Sequence, residues 1–338
     1  MDYSSAADRT WRPAAPVAQG AERLRELVRC ATLAPSSHNT QCWRFRIADD
    51  AITIVPDLGR RCPVVDPDDH HLFVSLGCAA ENVVQAARAY GLAPRVEVLT
   101  QPETCVRIGL EPGRAEAGPL FEAIELRQCS RSEYDGRPLP PDELALLGSA
   151  AARPGVQAVL LTSQEAKDRV LEFVVRGNTA QLCDAAFVRE LKSWIRFSDA
   201  EAIARGDGLS GRSSGNPSAP RWLGSLMFGL LFTADKENVK ISRQVRSGAG
   251  IAIFVSESDA AANWIEVGRS YQRFALQATA LGIRNAFLNQ PVEDAARRRE
   301  FAQALGLGDG RPDLVVRFGR GPLMPRSLRR PLEDVIET

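Results

Sequence analysis

Charge of either sign is not in excess: Lys+Arg and Asp+Glu both number 42 in a chain of 338 residues. A general binder of nucleic acid or anionic membrane needs a positive field, so that class is excluded, although a local Arg cluster can still hold one phosphate. The seven cysteines are odd in number and form no C-x-x-C pair. They read as reduced thiols of a cytoplasmic protein and exclude a disulfide framework or a zinc site. With only three histidines (His38, His70, His71), no spaced Ser/His/Asp set is evident. No G-x-G-x-x-G follows a strand, so a nicotinamide cofactor has no fold-specific pocket. The N-terminal MDYSSAADRTWRPAAPVAQG has neither an apolar run nor twin arginines, so no export signal is expected. No stretch is long and apolar enough to span a membrane.

Hydrophobic residues make up 44% and charged residues 25%, an ordinary globular balance. The length points to two domains or one large double unit. Repetition decides for the double unit. GCAAENVVQAARAYGL (77–92) and GRSYQRFALQATALGI (268–283) both open on Gly, carry Ala at matching places (Ala87 with Ala278, Ala89 with Ala280) and close on Gly91 and Gly282. Each predicts a helix that is apolar around much of its circumference, belongs in a core or interface, and ends on a glycine free to adopt positive φ. A weaker pair, ERLRELVRCATLAPSS (22–37) and PDELALLGSAAARPG (141–155), predicts an amphipathic helix ending at Pro35 and Pro154, each followed by a strand, WRFRI and VQAVLLT. Helix, proline, strand and buried helix therefore occur twice.

Asp49-Asp50 between WRFRI and AITIV predicts a hairpin, and GIAIFV (250–255) and DLVVRFG (313–319) predict buried strands. Residues 163–205 read as mostly helical. Residues 1–20 read as a flexible Pro/Ala-rich arm, 21–118 as a first half and 119–338 as a second, with Gly118-Pro119 at the boundary. The Gly/Ser/Pro-rich stretch 206–222 predicts a long mobile loop: either a plain connection or, with the residues to 232, a lid.

Two segments carry polar chemistry. APSSHNTQCWRF (34–45) gathers Ser36, Ser37, Asn39 and Gln41 in one helix-to-strand turn, whose hydrogen-bonding groups suit the edge of a heterocycle. By chemistry alone an ordinary polar turn is the favoured reading. In ELRQCSRSEYDGRPLPPDEL (125–144), Arg127 and Arg131 are four apart, with Cys129 and Ser130 between them. On a helical turn the two guanidiniums would face one point and clamp a phosphate; a solvated Arg-rich surface is the alternative. DPDDHH (66–71) reads as a charged turn that opens a helix at Leu72 rather than as a metal site.

The first segment resembles the P-S-S-x-N-x-Q-P-W signature of the nitroreductase family, and the second its R-x-S/T-x-R segment. RPDLVVRFGRGPLMPRSLRRPLEDVI (311–336) is similar to the family's closing strand and Arg-Pro tail, and LGIRNAFLNQPVE (281–293) to the segment after its interface helix. Order and length are most similar to the Acg-type, double-length branch. Ordinary members build each flavin site from the Arg segment of one subunit and the P-S-S segment of the other. This chain keeps one copy of each: the first half has only RTWRPAAP where an Arg segment would stand, and the second has Arg153-Pro154-Gly155-Val156 in place of P-S-S. The losses are complementary, so one complete site and one dead mate are expected.

The resemblance implies an α+β nitroreductase-like fold of two fused halves forming a pseudo-dimer around one FMN. It implies that Arg127 binds phosphate or ribityl, with Cys129 and Ser130 beside it, and that Arg131 lies at the N1–C2=O edge and stabilises the reduced flavin. Pro35, Ser36, Ser37 and Asn39 would contact the ring, Asn289 or Gln290 would bond near N5, and Arg326 and Arg329 would reach the phosphate. Cys42 and Cys129 depart from the family's usual Pro and Ser/Thr, and amides stand where an acid is common. The implied activity is ping-pong transfer of electrons from NAD(P)H, a transient co-substrate, through flavin N5 to a small oxidised acceptor such as a nitroaromatic or quinone. No protein nucleophile, nucleic acid or membrane is implied, and the chain would act as a monomer or a homodimer. The rival expectation is FMN storage beneath a lid over 206–232, with little turnover.

Overall fold

The computed structural model describes residues 2–14, 20–215 and 218–337. Two four-stranded antiparallel sheets carry the fold. The first contains β1 (Trp43–Ala48), β2 (Ala51–Pro56), β3 (Leu92–Leu99) and β4 (Cys105–Pro112) in the spatial order β1-β2-β4-β3. Between the first and second strands of the other sheet in sequence, β6 (Ile195–Arg196) and β7 (Leu209–Ser210) form a short parallel pair of their own. The second sheet contains β5 (Val156–Leu161), β8 (Gly250–Ser256), β9 (Arg284–Phe287) and β10 (Arg311–Gly319) in the order β5-β8-β10-β9. Within each sheet the order is first, second, fourth, third. Each sheet is preceded by a helix (Ala21–Thr32, Pro141–Ala151) and has a long helix between its second and third strands (His70–Ala89, Ala261–Ala280). This is the expected α+β fold of two fused halves.

The two long helices lie against each other at the centre, and glycine lets them. A Cβ at Gly77 would lie 2.0 Å from the Ile265 carbonyl oxygen, and one at Gly268 would lie 2.0 Å from that of Val74. The helices end where the sequence places the stop, with Gly91 at φ 73° and Gly282 at φ 71°. One continuous core runs through both halves, joining Phe45 and Ile52 to Phe274, Phe254 and Phe318.

The halves differ in one large respect. Asp49-Asp50 turns β1 into β2 directly, whereas 88 intervening positions, residues 162–249, separate β5 from β8 and form a helical excursion. The stretch expected as a mobile loop lies in it. Over 206–215 it is folded into β7 and a short helix, Gly211–Ser214, and a helix then runs from Arg221 to Leu231; residues 216–217 lie outside the described residues. Gly208, at φ 73°, packs so closely that a Cβ would meet the Trp194 carbonyl oxygen at 2.4 Å. Close packing of this kind holds the turn in one conformation, and composition does not report it.

The N-terminal arm is also ordered over its described part, contrary to the flexibility expected for residues 1–20. Tyr3–Thr10 is a helix capped by Asp2, whose carboxylate accepts from the Ser5 amide at 2.8 Å. It docks on the C-terminal tail: Trp11 Nε1 donates to the Ser327 carbonyl at 2.8 Å and Tyr3 Oη to that of Arg326 at 2.9 Å. Met1 and residues 15–19 lie outside the described residues. The tail itself crosses from the second half to the edge of the first sheet, where the Phe45 amide donates to the Val335 carbonyl at 2.8 Å. Among the described residues no helix is long and apolar enough to cross a membrane.

Candidate active site

The Pro35–Gln41 turn is built from backbone that most residues avoid. His38, Asn39 and Gln41 have φ of 49°, 55° and 54°. Consecutive left-handed non-glycine residues store strain that surrounding contacts must hold. They do so here. Ser36 Oγ accepts from the Gln41 amide at 2.8 Å, Gln41 Nε2 donates to the Gly206 carbonyl at 2.8 Å, and Gln41 Oε1 accepts from the Arg330 amide at 2.8 Å. Asn39 Nδ2 donates to the Gly208 and Leu328 carbonyls at 3.1 and 3.2 Å, and Asn39 Oδ1 accepts from Arg329 at 3.1 Å. The turn is thereby fastened to the excursion on one side and to the tail on the other.

The Arg segment is not a helical turn. Cys129 forms a parallel bridge with Asn285 of β9, and the Ser130 amide donates to the Asn285 carbonyl at 2.9 Å, so residues 128–131 are not helical. Arg127 and Arg131 therefore do not clamp a common point. Arg127 instead meets Arg329. Arg127 Nη2 and Arg329 Nη2 both donate to the Leu33 carbonyl, at 3.0 and 3.2 Å. The two residues are 2% and 8% exposed, and neither has a carboxylate partner among the described residues. Burial, with Arg127 alongside, pushes the Arg329 guanidinium down to about 9. Two buried like charges of this kind attract an anion. Arg317 holds the segment from behind: it donates to the Ser130 and Ser132 carbonyls at 3.0 and 2.9 Å and lies 4.1 Å over the Tyr134 ring.

A cavity of about 310 Å³ brings Pro35, Ser36 and Ser37 together with Arg131, Asn289 and Gln290. From the two segments, Pro35–His38 and Arg131 line this hollow. Arg131 is exposed and has no carboxylate partner among the described residues. Gln290 Oε1 is buried without a hydrogen-bond partner, whereas Asn289 Oδ1 is committed to the Val315 amide at 3.1 Å. Ser75 and Cys78 of the first central helix line the same hollow, with His38, His71 and Glu293. Burial, reinforced by Arg131, lowers His38 to about 4, and burial lowers His71 to about 3, so both rings are neutral near pH 7. Burial raises Glu293 to about 7, against a hydrogen bond from Gln181 Nε2 at 2.5 Å.

Several expected residues stand outside this cavity. Asn39 is spent on the tail and excursion, Arg326 turns away to stack 5.3 Å from the Trp11 ring, and Arg127, Cys129, Ser130 and Arg329 do not line it. The sequence reading missed His71, Ser75, Cys78 and Glu293. Cys78 had a signal, because the repeat aligns it with Arg269, a small residue against a charge. Glu293 puts an acid into the hollow beside the amides at 289 and 290. Gly211–Gly215 spells G-x-S-x-G, but Ser213 Oγ donates to the Ser210 carbonyl at 3.2 Å and closes a one-turn helix rather than a nucleophile elbow. DPDDHH opens a helix, at His70 rather than Leu72: the Asp66 carboxylate accepts from the His71 and Leu72 amides, both at 2.9 Å.

The pseudo-symmetric position is filled. The alignment of Gly77 with Gly268 places Glu266 opposite Ser75 and Arg269 opposite Cys78. Arg153, in the stretch that replaces P-S-S, donates to Glu266 at 2.6 Å; Arg269 pairs with Glu266 at 2.8 Å and with Glu81 at 3.1 Å. Ion pairs occupy the place where the first site keeps a hydroxyl, a thiol and open space.

No family model matches the chain. It is 30% identical over 332 residues to a protein of Mycobacterium tuberculosis (strain ATCC 25618 / H37Rv) named as an NAD(P)H nitroreductase, covering 94% of this chain and 92% of that protein. It is 22% identical over 330 residues to the Acg protein of the same organism, also named as an NAD(P)H nitroreductase, covering 92% and 94%. Among solved structures, the FMN-dependent nitroreductase NfnB from Mycobacterium smegmatis in complex with NADPH aligns with a TM-score of 0.43 and 13% identity, over 65% of this chain and 97% of that chain.

Proposed function

The chain belongs to the nitroreductase family, and on that premise we propose that it is an FMN-dependent oxidoreductase that passes electrons from NAD(P)H to a small oxidised acceptor, a nitroaromatic or quinone. The observation that carries this reading is the Arg127–Arg329 pair on the Leu33 carbonyl. Two buried guanidiniums that no carboxylate neutralises favour a phosphate, with Arg127 Nε unpartnered and Arg329 already held by oxygens at all three nitrogens. The residues fit FMN in other respects. Arg127 Nε, Ser130 Oγ and Gln290 Oε1 are buried polar atoms without partners, at the phosphate end and the ring end of the proposed site.

FMN, when bound, supplies the hydride chemistry. The protein supplies position and charge. Arg127 and Arg329 hold the phosphate; Pro35, Ser36 and Ser37 contact the ring from the first half, and Gln290 offers an acceptor from the second. Arg131 places an unpaired cation where negative charge develops on reduction. One chain contributes both halves, so a monomer suffices for one site.

A second reading, storage, has its own support. The cover over residues 206–210 is fastened rather than loose: the Gly208 amide donates to the Asn39 carbonyl at 3.1 Å, and Arg196 pairs with Asp207 at 2.7 Å. A fixed cover would hold a flavin and slow its partners.

The test is the visible absorption of the purified protein, the flavin released per chain, and bleaching by NADH or NADPH followed by turnover with a nitroaromatic or quinone. One FMN per chain that bleaches and reoxidises is expected. Bound flavin that NAD(P)H never bleaches supports storage, and a colourless protein that cannot be loaded sinks both readings.

A further inference from the structure

Next to the cavity just described lies a larger chamber of about 560 Å³, roofed by the helix Arg221–Leu231. We propose that this chamber is a binding site for an organic anion with an apolar, aromatic-sized body.

Its walls are Phe197, Leu209, Met227, Phe228, Leu231 and Phe232. Phe228 and Phe232 stack at 4.4 Å between centroids, and Phe197 meets Phe228 edge-on at 6.4 Å. Gly224 fixes the height of the roof, since a Cβ there would lie 2.5 Å from the Phe197 ring. The volume falls within the roughly 300–1,000 Å³ of sites that take small organic ligands. An apolar hollow of this size filled only by water wets surface that a ligand body would dry.

The rim carries the opposite chemistry. Arg131, Lys236 and Lys240 face the chamber with one acid, Glu237. Lys240 lies 3.8 Å from Glu237, while Lys236 and Arg131 have no carboxylate partner among the described residues. Arg196, also on the lining, is already neutralised by Asp207 at 2.7 Å. The rim therefore keeps an excess of positive charge. A neutral apolar ligand would leave those cations unanswered, and an inorganic anion would leave the aromatic wall wet. A molecule with an apolar body and one acidic group satisfies both. The chamber shares Arg131, Leu209 and Phe232 with the neighbouring cavity, so such a ligand would lie beside the proposed flavin.

The proposal is tested by titrating the full chain, flavin-free and FMN-loaded, with 1-anilinonaphthalene-8-sulfonate and with its uncharged analogue N-phenyl-1-naphthylamine. One saturable site for the sulfonate is expected, tighter than for the analogue. Lys236→Glu, on an exposed residue, should weaken the sulfonate by roughly fivefold and leave the analogue unchanged. Met227→Asp should weaken both. A double change on the outer face of the roof, Leu226→Ser with Leu230→Ser, should alter neither. Absence of a saturable site, equal binding by the Lys236→Glu variant, or loss of binding in the outer-face variant overturns the proposal. A chain that binds the sulfonate but cannot be loaded with FMN sinks the flavin reading and leaves this one standing. A chain that takes FMN and ignores the sulfonate does the reverse.

Discussion

Gly77 and Gly268 occupy equivalent points on the two central helices, and each abuts a carbonyl oxygen of the other helix, Ile265 and Val74, at a distance that excludes a side chain. The relation is reciprocal: the Arg269 amide lies 3.1 Å from a Cβ at Gly77, and the Cys78 amide 3.0 Å from one at Gly268. The side chains beyond the glycines repeat the symmetry in altered form. Glu81 pairs with Arg273 at 3.3 Å, and at the mirrored place Gln272 donates to Asn82 at 2.6 Å. A homodimer interface would repeat one contact twice, whereas this fused one has exchanged a hydrogen bond for an ion pair on one side only.

Gly77→Ala and Gly268→Ala should therefore destabilise by similar amounts. The obstacle in each case is backbone at 2.0 Å, which cannot swing away as a flexible side chain would. Overpacking of this kind costs about 1–3 kcal/mol or more. Thermal or urea unfolding of both variants measures it. A variant as stable as the parent would show that the helices can move apart freely.

The glycine pair also shows how far the sequence could be read. The match between 77–92 and 268–283 is visible because close helix packing restricts both copies to small residues at the same places, and the structure pairs them in that register. The P-S-S turn, the Asp49-Asp50 hairpin and the two buried strands were legible for a similar reason, since each rests on local pattern. The Arg segment was misread because four-residue spacing implies a helix only if the backbone is helical, and with Cys129 paired to Asn285 it is not. Arg329 as the partner of Arg127 could not be read from spacing, because 201 residues of chain separate them and only the crossing tail brings them together. The ordered arm and excursion were hidden for the same reason: Trp11 on Ser327 and Gly208 on Trp194 are tertiary contacts, and composition carries no trace of them.

Arg127→Met separates the anion role from a structural one. The Leu33 carbonyl keeps its bond from Arg329 at 3.2 Å, so the substitution leaves no orphaned acceptor there. It also removes one of two buried positive charges, so the flavin-free chain should be as stable as the parent or more so. FMN affinity should fall by roughly 10- to 100-fold, the range of a lost charge-assisted bond of about 1.5–3 kcal/mol. Flavin titration together with unfolding of the flavin-free chain reads both. Unchanged affinity would remove Arg127 from the phosphate site.

Glu293 makes stability depend on pH in a definite sense. Its carboxyl, ordinarily at 4.5, lies at about 7 in the folded chain, chiefly through burial, with Asp66 adding to the shift. The folded chain therefore keeps a proton that the unfolded chain has released. Its contribution is complete below the ordinary value and is lost as the pH rises through about 7. Asp66, raised from 3.8 to about 7 by burial, acts in the same direction. Glu293→Gln stays neutral at every pH and can still pair with Gln181. Melting curves of the flavin-free chain from about pH 5 to pH 8 should fall more steeply for the parent than for the variant. Parallel curves would mean that Glu293 is ionised in the fold.

The filled pseudo-symmetric position gives the sharpest prediction about stoichiometry. Arg153, Glu266, Arg269 and Glu81 form a chain of ion pairs where the first site has Ser75 and Cys78. Arg153 and Glu266 are each 24% exposed at the side chain, so removing them together should cost only about 1 kcal/mol, and Arg269 would keep Glu81. Arg153→Ser with Glu266→Ser thus clears space without unfolding the chain. It should nevertheless bind no second flavin. The proposed phosphate end of the first site draws on Arg127 from the second half and on Arg329 from the tail, and the first half has only RTWRPAAP at its start, with Arg12 already paired to Glu26 at 2.6 Å. Space alone does not attract a dianionic phosphate; buried cations do. Flavin released per chain should remain one in the double variant. A value of two would show that the first half retains an anion site of its own and that the two halves are not complementary.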